Sequence, residues 1–164
     1  MSTPFTRPAT QDDVYIMEQI LLEAFKESYA NFMPEQYVRE WYDANEAQKI
    51  VRTGLGRAGI AEIMGRMVGF VMYLDNTITQ LWVDPDYQGK GVGRALVEWI
   101  EGEFRAKGYA TISMYCYEEN KDTLEFCKKL RFRRASQFQS KEEAGGPVTV
   151  YNMLKMVSKL KSGR

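Results

Sequence analysis

The chain has 164 residues, with 22 Lys and Arg against 22 Asp and Glu and no histidine, so its formal net charge is zero. That length predicts one domain, residues 1–164, large enough to bury a core of its own. Without histidine, Ser-His-Asp and Cys-His catalytic units and His-ligated metal sites are excluded. Acid–base chemistry then falls to carboxylates, Tyr, Cys, Lys, main chain or water.

A zero net charge argues against broad nucleic-acid or anionic-membrane binding, because both partners attract a basic excess. Cys116 and Cys127 are the only two cysteines. They are too few for a disulfide framework or a metal cage, which predicts reduced thiols, no metal and a cytoplasmic protein. The start, M-S-T-P-F-T-R, lacks the apolar core of a signal peptide, and no apolar run approaches the roughly 20 residues that span a bilayer.

In chain order, Pro4–Arg7 reads as a short strand. Thr10 and Asp13 fit a capping box, followed by Val14, Met17, Leu21 and Phe25 at helical spacing. Pro34 suits the first position of a second helix whose buried side carries Tyr37, Val38 and Trp41. A third short helix is expected over Glu46–Leu55. Gly59–Met64 and Met67–Leu74 read as antiparallel strands about a Gly65-Arg66 turn, and Asp75-Asn76 turns the chain into a strand over Thr77–Val83. Leu96, Ile100 and Phe104 line a helix closed by Lys107-Gly108. A strand at Ala110–Tyr117, a helix at Asn120–Leu130, and strands at Phe132–Ser140 and Val148–Val157 complete the chain. The order predicts an α/β fold with helices flanking a mixed, mostly antiparallel sheet.

The segment from Leu81 to Arg94, L-W-V-D-P-D-Y-Q-G-K-G-V-G-R, leads from a strand through Gly89, Gly91 and Gly93 into a helix. Such glycines let the main chain approach a ligand and turn successive N–H groups into one hollow. The positive end of the following helix adds to the attraction for an anion, so a phosphate cradle is expected. Arg94 stands where the dinucleotide fingerprint needs glycine, and Lys90 is followed by Gly91 rather than Ser or Thr, which excludes a P-loop.

Gln88, Gly91 and Gly93 match in full the Q/R-x-x-G-x-G/A loop of the GNAT N-acetyltransferases, which the chain resembles. The preceding Leu81-Trp82-Val83-Asp84-Pro85 is similar to that family's strand end. A second block, N-x-x-A-x-x-F-Y-x-K-x-G-F, resembles Asn120–Phe132, keeping Asn120, Phe126, Lys129 and Phe132. It departs from the pattern with Thr123 for Ala, Cys127 for Tyr and Arg131 for Gly.

The resemblance implies a single-domain GNAT-like fold, acetyl-CoA as acetyl donor and an amine as acceptor. Main-chain groups of Gln88, Gly89, Lys90, Gly91, Val92, Gly93 and Arg94 would hold the pyrophosphate, and those of Leu81, Trp82 and Val83 the pantetheine. Asn120 would contact the cofactor, serve as a helix cap, or both. Lys128 or Lys129 is a candidate for the adenosine 3′-phosphate, or else part of a solvated face. The acid that protonates the departing thiolate is Tyr in many relatives. Cys127 occupies that place, either as the acid or as a buried core thiol, with Tyr117 and Tyr115 as substitutes. Many relatives carry a Glu as base where this chain has Thr77; Asp75, Glu62, Glu118 and Glu119 are the nearby carboxylates, and water relay is the alternative. Phe25, Tyr29 and Phe32 would line the acceptor site, with Glu23 and Glu27 attracting a cation. Three functions stay open: acetylation of a small-molecule amine, acetylation of a protein or peptide, and a non-catalytic acyl-CoA-binding module. A monomer or homodimer is expected.

Overall fold

Runs of apolar and β-branched residues between turn signals, continuous in the second and third strands, yield seven strands among the described residues: β1 (Phe5–Pro8), β2 (Ala58–Ile63), β3 (Arg66–Leu74), β4 (Thr77–Val83), β5 (Thr111–Tyr117), β6 (Arg133–Glu142) and β7 (Gly146–Met156),. Segments with helical periodicity form α1 (Val14–Ser28), α2 (Glu35–Asp43), α3 (Glu46–Gly54), α4 (Val92–Lys107) and α5 (Lys121–Lys129). The structure, a computed structural model, describes residues 2–142 and 146–159, so part of the segment between the last two strands lies outside the described residues. The strands form one sheet in the order β1-β2-β3-β4-β5-β7-β6. Every neighbouring pair is antiparallel except β4 and β5, which run parallel.

Each face of the sheet carries its own core, as a two-sided α/β sheet requires. On one face Leu96, Ile100 and Phe104 of α4 and Cys127 of α5 meet Val68, Val71, Ile112 and Cys116. On the other, Met17, Leu21 and Phe25 of α1 and Val51 of α3 meet Ile60, Phe70 and Trp82. The start of α1 is held by the expected capping box: the Thr10 amide donates to Asp13 Oδ2 at 2.8 Å. Arg7 donates to both Asp13 oxygens at 2.8 and 2.9 Å and to Glu62 at 2.7 Å, tying β1 to α1 and β2. That guanidinium holds the Asp13 carboxyl below the usual carboxylate range,.

Some boundaries differ from the sequence reading. The β2–β3 turn is Met64-Gly65 rather than Gly65-Arg66, because Ile63 pairs with Arg66 and closes the ladder one residue earlier. Both turn residues take positive φ, 52° and 77°, as a type I′ turn demands,. Pro34 precedes α2 as its cap rather than opening it, and α1 stops at Ser28, continuing as a 3-10 turn through Tyr29–Asn31.

Candidate active site

The parallel pair β4 and β5 is joined only at Thr77↔Ser113 and Ile78↔Met114, after which the two strands part. A bulge begins at this point. Met72 of β3 opposes Gln80 while Tyr73 opposes Ile78, so Thr79 is an extra residue. A bulge bends its strand and ends regular pairing. It also switches faces: Ile78 packs into the α4 core, whereas Gln80 and Trp82 line the opposite side, beside α1. The fork therefore leaves the facing edges of β4 and β5 unpaired beyond Ile78.

Amide directions along β4 follow from its other edge. The Asp84 N–H donates to Val68 O at 2.8 Å, toward β3. A Cβ on Gly69 of β3 would meet the Trp82 carbonyl oxygen at 2.8 Å, which places that carbonyl on the β3 side as well. Alternation along a strand then directs the N–H groups of Leu81 and Val83 into the fork and those of Trp82 away from it. Trp82 thus contributes its side chain rather than its main chain: the indole N–H donates to Gln80 Oε1 at 2.6 Å, and the ring lines the cleft.

The three loop glycines have different physical reasons. Gly89 and Gly91 take φ of 76° and 82° with open space around them, so their role is backbone conformation,. Gly93 instead permits close packing, since a Cβ there would stand 2.9 Å from the Phe126 ring of α5. Gly91 caps α4 with no side-chain hydrogen bond, and no acidic residue occupies the first turn. The first amides of a 16-residue helix are thereby left to an outside acceptor, with Arg94 exposed beside them,. Tyr87 stiffens the approach, its ring lying 5.5 Å from Arg66 and 5.3 Å from Lys90,. These residues fit a pyrophosphate; the fork fits an extended arm that takes strand-like hydrogen bonds.

The other candidate residues are partly brought together. Asn120 caps α5, accepting from the Thr123 amide at 3.3 Å, and is buried next to the fork strand. Lys128 and Lys129 are exposed on the last turn of α5. Cys127 is fully buried, its Sγ 3.5 Å from Sγ of Cys116, on the α4 side of the sheet. The Cys116 contact and burial push the Cys127 thiol up, which makes it a poor proton donor,. Tyr117 and Tyr115 project from the opposite face of β5 into the cleft.

That cleft measures about 710 Å³ and is bounded by α1, α2, the start of α3, β4, β5 and the β6–β7 hairpin. Phe25 and Tyr29 line it as expected, and burial pushes the Tyr29 hydroxyl well above the usual phenol range. Phe32 stands behind them, its ring 5.1 Å from Tyr29 and 5.9 Å from Tyr117. The carboxylates differ from the sequence reading. Glu23 belongs to a separate cleft beside Arg7 and Arg66, and Glu27 is exposed, whereas Glu40 and Glu46 line the aromatic cleft. The helical spacing of Tyr37 and Trp41 predicts only a buried face, yet both rings line the cleft. Their i,i+4 spacing was the signal that an aromatic pair could wall a site.

Among the proposed bases, Asp75 sits in the β3–β4 turn and Glu62 is engaged with Arg7. Glu118 accepts from the Tyr151 hydroxyl at 2.7 Å. Thr77 is paired with Ser113 at the closed end of the fork.

Comparison with known proteins agrees with this geometry. An uncharacterised N-acetyltransferase of Methanocaldococcus jannaschii is 26% identical over 137 residues, covering 77% of this chain and 59% of the relative. A ribosomal protein bS18-alanine N-acetyltransferase of Escherichia coli is 33% identical over 76 residues, 44% of this chain and 51% of that protein. The chain thus matches between about half and three-fifths of the length of these relatives. Among solved structures, a GCN5-related N-acetyltransferase from Rhodopseudomonas palustris superposes with TM-score 0.78 at 25% identity, covering 95% of this chain and 97% of that one. A Thermoplasma acidophilum N-acetyltransferase in complex with coenzyme A superposes with TM-score 0.71 at 18% identity, covering 94% and 99% of the two chains. Residues 19–132 match the model of the acetyltransferase (GNAT) family, and the chain belongs to that family.

Proposed function

We propose that the protein is an acetyl-CoA-dependent N-acetyltransferase acting on a primary amine, with a small molecule as acceptor. The observation that carries this reading is the β4–β5 fork, into which the Leu81 and Val83 amides point. It lies between an α4 N-terminus with no side-chain cap and an aromatic cleft. Acetyl-CoA supplies an acetyl group already activated as a thioester. The amides of Val92, Gly93 and Arg94, with the loop from Gln88 to Gly91, bind its pyrophosphate. The Leu81 and Val83 main chain orients the pantetheine, and the Val83 N–H polarises the thioester carbonyl. Asn120 holds the start of α5 against this edge of the site, and Lys129, exposed on the last turn of α5, would take the distal phosphate. Phe25, Tyr29 and Phe32 shape the acceptor side and keep water from the reacting amine. Tyr117, on the cleft face of β5, gives its hydroxyl proton to the departing thiolate and regains one, through water, from the nitrogen as the attacking amine becomes an amide. Cys127, behind the sheet and against Cys116, takes no part in this transfer.

The similarity to a bS18-alanine N-acetyltransferase supports a second reading, a peptide N-terminus as acceptor. Thiol release from acetyl-CoA, followed with a panel of small amines and of peptides, separates the two. Turnover of small amines at higher kcat/KM than peptides is the expected result, and the reverse order establishes the peptide reading. Binding of acetyl-CoA without turnover of any acceptor would leave a non-catalytic acyl-CoA-binding module.

A further inference from the structure

The walls of the acceptor cleft carry a consistent electrostatic sign. Phe25 stacks on Trp41 at 3.8 Å, and Trp82 lies 6.3 Å from Phe25 and 5.3 Å from Tyr29, forming one continuous group of rings. Tyr117 closes the group edge-on to Tyr29 at 5.7 Å. At the α2–α3 corner Glu40 and Glu46 face the same space, and among the described residues no lysine or arginine lines it. Glu40 accepts one hydrogen bond from Gln36 at 2.9 Å, and Glu46 has a 3.7 Å contact with the exposed Lys49. Both carboxylates belong to the rim, where salt screens them, whereas the rings form the inner wall.

Aromatic faces and carboxylates attract the same kind of ligand. The ring quadrupole presents negative charge to a cation, and the attraction strengthens as the site loses water. The same walls reject a substrate carboxylate, which would lose hydration and find no basic partner. A neutral alkyl chain would be accepted by the rings but would leave Glu40 without a counter-charge and Glu46 with only the exposed Lys49. Resting on the N-acetyltransferase reading above, we infer that the acceptor is a diamine or polyamine. One amine reacts beside Val83, and a second ammonium is held between Trp41, which is backed by the buried Phe25 ring, and the Glu40–Glu46 rim. Tyr37, Trp41, Glu40 and Glu46 then set specificity and touch no reacting atom.

Four amines test this in the full chain with acetyl-CoA: cadaverine, pentylamine, δ-aminovalerate and phenethylamine. Cadaverine is expected to exceed pentylamine in kcat/KM by about ten-fold, equivalent to roughly 1.4 kcal/mol. The gain should lie mainly in KM and shrink as salt is raised. δ-Aminovalerate should fall below pentylamine. In the Glu40→Gln, Glu46→Gln double variant the cadaverine-to-pentylamine ratio should narrow toward one. Equal or better turnover of pentylamine, phenethylamine or δ-aminovalerate overturns the inference and leaves the acetyltransferase reading standing.

Tryptophan fluorescence gives a readout independent of turnover, because Trp41 and Trp82 line the cleft. A saturable response to cadaverine that the double variant weakens supports the cation site even if no amine is acetylated, which would then sink the acetyltransferase reading alone. An identical response to pentylamine overturns the site.

Discussion

The proposed donor side and the proposed acceptor side of the site are made of different material. Around β4, the loop and the start of α4, the chain works through its main chain: amide directions, positive φ and a bulge, with side chains as spacers. Over the acceptor cleft the main chain is a scaffold and aromatic and acidic side chains make the surface. A main-chain site can bind one constant ligand on many sequences, because it depends on which residues permit a conformation. A side-chain site changes with each substitution, which is how one fold serves different acceptors.

The sharpest way to break this division is at Tyr117, the proposed point where acceptor-side chemistry reaches the donor. Tyr117→Phe keeps the ring against Tyr29 and Phe32 and removes only the hydroxyl. It should lower kcat by about 10²-fold or more, the usual range for losing a general acid. The KM values for both substrates should change little. Cys127→Ala, behind the sheet, should leave kcat within about two-fold on the same argument. Steady-state kinetics on both variants checks the pair. A loss at Cys127 with none at Tyr117 would move the acid to the donor side and undo the assignment.

Next in size is Gly91→Val. The position has φ of 82° and open space around it, so the variant introduces backbone strain without a clash. A left-handed conformation costs an L-residue roughly 1–2 kcal/mol, and a β-branched residue stands at the upper end. Relief by rearrangement of the loop would misalign the first α4 amides. Coenzyme A affinity, measured by titration calorimetry, should fall about ten-fold. Binding of the amine, followed separately, should be unaffected if the two sides are independent. Equal weakening of both would show that the loop and the cleft are coupled.

The same division explains how far sequence alone could reach. The order of elements and the donor loop were readable because their signals are local: hydrophobic period, turn residues, and glycines at fixed offsets. Even there, Gly93 was grouped with Gly89 and Gly91, although only the fold reveals that it faces Phe126. The acceptor cleft was readable only in part. Phe25 and Tyr29 are legible from the end of α1 and the turn after it, but Glu40 and Trp41 of α2, Gln80 of β4 and Phe138 of β6 come from three separate elements that only the fold brings together. Glu23 was misplaced because helical spacing gives the face of a residue but not what that face meets. Trp82 was assigned by its main chain, and the Asp84–Val68 hydrogen bond shows that its N–H and C=O belong to β3. The capping box at Thr10 and Asp13 could be read from four residues; the Arg7 clamp on it could not, because Glu62 arrives from a distant strand.

The smallest effect isolates conformation from chemistry on the donor side. Helix α5 ends with the Arg131 amide bonded to Lys128 O at 3.0 Å and the Phe132 amide to Cys127 O at 2.9 Å. These are the two bonds of a Schellman closure, which places its C′ residue in the left-handed region. Arg131 occupies that position with φ of 68°, where the family pattern has glycine. Its side chain is exposed, so little packing opposes a change. Relief of the left-handed strain outweighs the greater freedom that glycine brings to the unfolded chain. Arg131→Gly should therefore stabilise the protein by roughly 1 kcal/mol, a rise in Tm of about 2–4 °C for a chain of this size. The pyrophosphate amides are untouched, so calorimetric affinity for coenzyme A should hold, apart from any contribution of the lost positive charge to the distal phosphate. Arg131→Asn separates these terms: it also removes the charge, and asparagine tolerates the left-handed region better than arginine though less well than glycine. A Tm order of Gly, Asn, Arg with equal affinity in the two neutral variants shows that conformation alone sets this end of α5. A fall in Tm on Arg131→Gly would mean that the arginine side chain stabilises the helix end by more than its backbone strain costs.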